Sequence, residues 1–106
     1  MIYITSSNIA GKKITKTHGL AKGNAVRARH LGRDILAGLK NIVGGEIEEY
    51  TKLLAESRQQ AIDRMVEDAV SMGANAVVDV RFATSLVAGM AAEIISYGTA
   101  VTIDNE

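Results

Sequence analysis

The feature that most constrains this chain is a 27-residue stretch with helical periodicity, Glu46–Met72. Its apolar residues recur at three- and four-residue steps with one interruption, at Arg58, and they are Ile47, Tyr50, Leu54, Ala61, Met65, Ala69 and Met72. Three glutamates in the first turn suit the positive end of the helix dipole. Gly73 stands at a typical C-cap position. The pattern therefore predicts one long helix over 46–72.

A helix of this length exceeds the expected width of the domain that must hold it. At ~1.5 Å per residue it runs about 40 Å, whereas a compact domain of 106 residues is only about 26 Å across. A second set of apolar residues widens its stripe: Leu53, Ile62, Val66 and Val70. One end must extend beyond its own sheet, and such an apolar end usually packs on a partner subunit. We therefore predict a homo-oligomer.

The remaining segments favour an α+β domain in which the sheet is antiparallel. Ile2–Thr5 is a short strand, and Lys13–Ala21 is a second strand that ends at a turn over Lys22–Asn24. Ala28–Ile42 has the spacing of a short helix. Opposite charges four apart, Arg64 and Asp68 among them, predict ion pairs on the outer surface of the long helix.

Two alternating segments complete the sheet. Val77–Thr84 places Val78, Val80 and Phe82 inward, and Glu93–Ile103 alternates in the same way. The connection between them, residues 86–92, is apolar, so we expect another chain to cover it. The predicted order is β-β-α-α-β-β in a single domain, 1–106, with one short and one long helix on one side of an antiparallel sheet.

Composition excludes several classes of function. With 47% hydrophobic residues the chain is expected to fold, and without cysteine it has no disulfide or thiolate metal site. It has no Trp and one Phe, which disfavours stacking on nucleobases or flavins. We see no signal-peptide pattern and no apolar run of the ~20 residues that span a bilayer. A cytoplasmic protein is expected, without a membrane or nucleic-acid partner.

Charges are sorted along the chain although the net charge is zero. Residues 1–40 hold eight Lys/Arg and one acid, whereas residues 41–106 hold four Lys/Arg and eleven acids. This division could mark an anion-binding face, or it could let the basic half of one subunit meet the acidic half of another. We favour the second interpretation, because a homo-oligomer is expected. A nucleic-acid partner would require clustered basic residues with aromatic residues or a known motif, and neither is present.

Three blocks in this order resemble the YbjQ-like family of small bacterial and archaeal proteins. They are a glycine-bounded segment near Gly23, the sequence RDILAGLKNIVGG at 33–45 followed by the long helix, and MGANAVVDV at 72–80. The resemblance implies a dodecin-like α+β subunit in a homopentameric ring. The family is also described as heavy-metal-binding. Fold analogy alone adds a third hypothesis, a dodecin-like cofactor store.

Two sets of residues are candidates for ligand binding. Lys22, Asn24, Arg27 and Arg33 lie around the glycine-bounded segment and could hold an anionic small molecule at a subunit junction. The segment lacks the Lys-Ser/Thr ending of a P-loop and the glycine spacing of a dinucleotide-binding turn, so a simple turn is the competing interpretation. A divalent metal ion could be held by the second set, which is His18, His30 and Asp34. A surface ion pair between His30 and Asp34 is the competing interpretation there.

The sequence offers little for catalysis and more for assembly. No serine stands in a motif that would activate it, and the single carboxylates have no visible partner, so a non-enzymatic role is favoured. The predicted oligomer interface comprises Leu86, Val87, Met90 and Tyr50.

Overall fold

The computed structural model describes residues 1–26, 45–87 and 91–106, with side chains except at 45–51, 53, 86, 87, 91 and 92. Its elements are strands β1 (Ile2–Tyr3) and β2 (Lys12–Val26), helix α1 (Gly45–Ser71), and strands β3 (Ala76–Val87) and β4 (Ala91–Asn105). The α+β class and the long helix are confirmed. The predicted helix over 28–42 lies outside the described residues.

The four strands form one mixed sheet in the order β1-β3-β4-β2. β4 pairs antiparallel with both β2 and β3, but β1 pairs parallel with β3, so the prediction of a purely antiparallel sheet is wrong. The reason lies in the connection, because residues 4–11 carry the chain from one edge of the sheet to the other. Strands joined by such a crossover need not be antiparallel neighbours.

The crossing segment covers part of the sheet face that lies opposite α1. Ile4 and Ile9 pack there on a buried cluster formed by Ala76, Val78, Val101 and Ile103. This cluster gives the thin domain a second small core. The first core lies between the sheet and α1, and it is built largely of alanines around Met65, Val77 and Val80.

The helix buries the predicted stripe over its second half. Ala61, Met65 and Ala69 are fully buried against the sheet. At the interruption of the pattern the buried residue is Ser57 rather than Arg58, which keeps the three- and four-residue steps intact. Val70, predicted to widen the stripe, is instead 57% exposed, because it lies outside the arc that meets the sheet.

The helix ends in a Schellman arrangement at Gly73. The Ala74 N–H donates to the Ala69 carbonyl at 3.1 Å, and the Gly73 N–H donates to the Val70 carbonyl at 3.0 Å. Gly73 has φ +89°, a conformation that a residue with a Cβ adopts only with strain. The predicted C-cap is confirmed.

A bulge in β3 changes which residues face the helix. Asp79 has φ 55°, and the pairing with β4 shifts between Val78 and Arg81. Val77 and Val80 therefore pack towards α1, while Val78 belongs to the cluster on the opposite face. The prediction that Val78, Val80 and Phe82 share an inward face is wrong, and Phe82 is 45% exposed.

β2 continues through the segment where a turn was predicted. Residues 22–24 lie inside the strand and pair in order with Tyr97, Ser96 and Ile95 of β4. Gly23 serves close packing instead of a turn, because a Cβ there would lie within 3 Å of backbone atoms of Met65, Ala61 and Arg64. The helix backbone thus rests directly on β2 at this point.

The described residues form an elongated body. Their Cα radius of gyration is 17.0 Å and their extents are 55 × 24 × 16 Å, whereas a compact chain of this length has a radius of gyration of about 13 Å. α1 packs mainly on β2 and β4 and barely reaches β3. None of the helices described is long and apolar enough to cross a membrane.

Candidate functional site

A groove between β2 and α1 is where the structure places two of the predicted ligand-binding residues. We call it the β2–α1 groove, a cavity of about 560 Å³ that is open to solvent. It is lined by Lys22, Gly23 and Asn24 from β2, by Arg64, Glu67 and Asp68 from α1, and by Ile95 from β4. The close contact at Gly23 fixes the distance between its two walls.

Two helix side chains bond to the backbone of β2 inside this groove. The Lys22 N–H donates to Asp68 Oδ2 at 2.9 Å, and Arg64 Nη1 donates to the Asn24 carbonyl at 2.6 Å. The prediction that Arg64 and Asp68 form a pair on the outer surface of the helix is therefore wrong. Both side chains turn towards the strand, because the missing side chain at Gly23 brings α1 within their reach.

The charges of the groove are balanced. Lys22 and Arg64 are cationic, and Glu67 and Asp68 are anionic. The Asp68 carboxylate is partly occupied by the Lys22 amide, while the ammonium of Lys22 is exposed to solvent. A ligand with an anionic group would therefore meet one cation on each wall of the groove, Lys22 on β2 and Arg64 on α1, with the Glu67 carboxylate beside Arg64.

The remaining predicted ligand residues, Arg27 and Arg33, lie outside the described residues, as do His30 and Asp34 of the predicted metal set. His18 is half-buried, and its Nε2 lies 2.7 Å from Thr102 Oγ1. Within the described ranges no group of three or more His, Cys, Asp or Glu side chains could hold a metal ion.

Of the four predicted interface residues, the structure describes the backbone of three. Leu86 and Val87 end β3 and pair with Ala92 and Ala91 of β4, so both residues belong to an antiparallel strand pair. Tyr50 lies in the second turn of α1, but its side chain, like those of Leu86 and Val87, is not described. Met90 lies outside the described residues.

One carboxylate that seemed to lack a partner has one. The Ser7 hydroxyl donates to Asp79 Oδ1 at 2.8 Å, and the Asp79 N–H donates to the Ser6 carbonyl at 3.0 Å. Asp79 thus anchors the segment that crosses the sheet, and its left-handed backbone is part of the bulge. This arrangement serves the fold, since no imidazole is within hydrogen-bond distance of Ser7 among the contacts described.

Sequence reasoning missed the helical wall of the groove. Arg64, Glu67 and Asp68 recur at three- and four-residue steps, which is the signal that they share a helix face. Lys22 and Asn24 alternate on a strand and also share a direction. Placing these two groups of residues in one groove requires knowing which part of α1 packs on which part of β2. The close contact at Gly23 determines that.

Comparisons with known proteins agree with the fold and with the resemblance. A family model described as "Putative heavy-metal-binding" (YbjQ) matches residues 1–104. A UPF0145 protein of Methanosarcina acetivorans is 60% identical over 105 residues, covering 99% of each chain. A UPF0145 protein of Pyrococcus furiosus is 54% identical over 106 residues, covering 100% of this chain and 93% of the relative.

A crystal structure shares the fold at low sequence identity. It is a DUF74-family protein of unknown function from Pediococcus pentosaceus, and it superposes with a TM-score of 0.65 at 16% identity, covering 98% of both chains. At that identity the likeness concerns the fold alone. From the family match and the relatives of 50–60% identity, the chain belongs to the YbjQ (UPF0145) family.

Proposed function

We propose that this protein assembles as a homo-oligomer, with the pentameric ring that the family resemblance implies, and binds a small molecule in the β2–α1 groove. The observation that carries the ligand proposal is that Lys22, Asn24 and Arg64 all line one open cavity of about 560 Å³. A cavity of this volume is in the range that small-molecule sites occupy.

Three features of the described residues support assembly. From Phe82 to Val87 the outer edge of β3 has no strand beside it in the described part of the chain, since β1 pairs only with Ala76 and Val77. Phe82 is 45% exposed beside that edge. The sheet face opposite α1 also exposes Leu20, Val26 and Tyr97. Free strand edges and exposed apolar groups of this kind are usually covered by another chain.

The balanced charge of the groove defines the chemical class of the ligand. A carboxylate or phosphate would be attracted by Lys22 and Arg64, and a cationic or hydrogen-bond-donating part of the same molecule would suit Glu67. Asn24 can donate and accept hydrogen bonds beside them. The groove therefore fits a small molecule of mixed charge better than a simple anion.

Native mass spectrometry of gently purified protein, with a denatured control, tests both parts of this proposal. We expect a pentamer whose mass exceeds five chains by the mass of an organic ligand. A monomer would contradict the assembly, and a pentamer without added mass would count against a ligand retained from the cell. A metal mass that disappears in His30→Ala would instead support the metal-binding description of the family.

The location of the site is tested by a thermal-shift titration with L-glutamate, a small molecule of mixed charge. We expect glutamate to raise the Tm of the wild type and to have much less effect on Lys22→Ala. Lys13→Ala is the matched control, because Lys13 is an exposed lysine of the same strand and lies outside the groove. Equal shifts in both variants would contradict the assignment of Lys22.

A further inference from the structure

The backbone edge of β2 is occupied by side chains of its own helix. β2 is the last strand of the sheet, so residues on its outer edge have no neighbouring strand within the described part of the chain. At Lys22 and Asn24 the outward N–H and C=O groups bond to Asp68 and Arg64 of α1. An unoccupied edge here would be able to pair with another chain.

The spacing of Arg64 and Asp68 along α1 matches the spacing of Lys22 and Asn24 along β2. Lys22 and Asn24 are two residues apart, which is about 6.6 Å along a strand. Arg64 and Asp68 are four residues apart on α1, which is about 6 Å along a helix. Asp68 offers an acceptor to Lys22 and Arg64 offers a donor to Asn24, the complement that a pairing strand would offer in antiparallel order.

We propose that Arg64 and Asp68 form an edge clamp that takes the place of a neighbouring strand at Lys22–Asn24. The clamp prevents a second copy of this chain from adding a strand at this part of the β2 edge. Gly23 holds the clamp in place, because only its lack of a side chain lets α1 approach closely. The clamp acts without a ligand and goes beyond the function proposed above.

Removal of the clamp should expose the edge. In Arg64→Ala/Asp68→Ala, a double variant with unchanged net charge, we expect the Lys22 amide to exchange hydrogen about tenfold faster. We also expect larger, concentration-dependent species by light scattering and increased thioflavin T fluorescence. Arg58→Ala/Asp63→Ala is the matched control, since both residues are exposed on α1 and the net charge is again unchanged.

The single variants keep the test decisive if the double variant does not fold. Asp68→Ala frees only the Lys22 amide. Asp68→Asn keeps an acceptor, so it should restore both the wild-type exchange rate of that amide and the wild-type size by light scattering. A folded variant with faster Lys22 exchange and the wild-type size at all concentrations would overturn the proposal. Lys22→Ala, which retains the backbone N–H, should weaken ligand binding and leave the size unchanged, so the two proposals fail separately.

Discussion

At the scale of single residues, the absence of a side chain at Gly23 sets the distance between α1 and β2. A Cβ there would lie within 3 Å of the Met65 N atom and the Ala61 carbonyl oxygen, which are backbone atoms that cannot rotate away. The groove, the two side-chain bonds to β2 and the alanine-rich core all depend on this contact. Gly73 differs, because space is available there and only its backbone angle favours glycine.

We therefore expect Gly23→Ala to destabilise the fold by about 3 kcal/mol, since the helix must move off the strand. Gly73→Ala should cost only about 1 kcal/mol, the cost of a left-handed conformation in a residue with a Cβ. Urea unfolding at one fixed protein concentration measures both values. Equal losses for the two variants would show that close packing at Gly23 is unimportant.

At the scale of elements, a buried polar contact joins the sheet to the helix. The Ser96 hydroxyl, which is fully buried in β4, donates to Met65 Sδ at 3.2 Å across the core. A thioether is a weak acceptor. In a core of small residues it nevertheless satisfies a hydroxyl that would otherwise be desolvated without a partner.

A double-mutant cycle tests this contact. Met65→Leu conserves the volume but leaves the Ser96 hydroxyl unsatisfied, so we expect a loss of about 2 kcal/mol. Ser96→Ala alone should cost about 0.5 kcal/mol, because the acceptor is weak. The double variant should cost about 1 kcal/mol, less than the sum of the single losses. Additive losses, measured by urea unfolding, would contradict the proposed coupling.

A comparison of the helix with the strands explains why the helix could be predicted from the sequence, whereas the inward and outward faces of the strands could not. The helical period runs over about seven turns, so one exception at Arg58 does not obscure it. In a strand each bulge shifts the alternation by one residue and reverses every later assignment. β3 has such a bulge at Asp79, and β2 has two register shifts before Leu20. Gly19, with φ +131°, marks the second shift in β2, because a lone glycine inside a strand pattern indicates a bulge.

The residues of the candidate site could be predicted from the sequence only in part. Lys22 and Asn24 could be named from their basic and polar surroundings. Arg64 and Asp68 could be placed on one helix face but not next to β2, because their contact depends on how closely two distant segments pack. The turn predicted over Lys22–Asn24 was wrong for the same reason, since a glycine required for packing and one required for a turn look alike in sequence.

At the scale of the whole molecule, the described residues form an elongated body. Its radius of gyration of 17.0 Å exceeds the ~13 Å of a compact chain of this length. α1 packs mainly on β2 and β4, so most of β3 has no helix packed on it within the described part of the chain. Phe82 is exposed there beside an edge with no neighbouring strand in the described part of the chain.

Phe82→Lys should therefore reduce the assembly to smaller species while the subunit stays folded. A lysine at this position removes the exposed apolar surface and adds a charge beside the strand edge, which natural sheets use to prevent edge pairing. The control is Val70→Lys, because Val70 is a similarly exposed apolar residue, at 57%, on the outer surface of α1. Light scattering coupled to size exclusion gives the masses, and far-UV circular dichroism checks the fold. If Phe82→Lys keeps the wild-type mass, the β3 edge is not the interface; if both variants dissociate, the interface is wider and includes the helix.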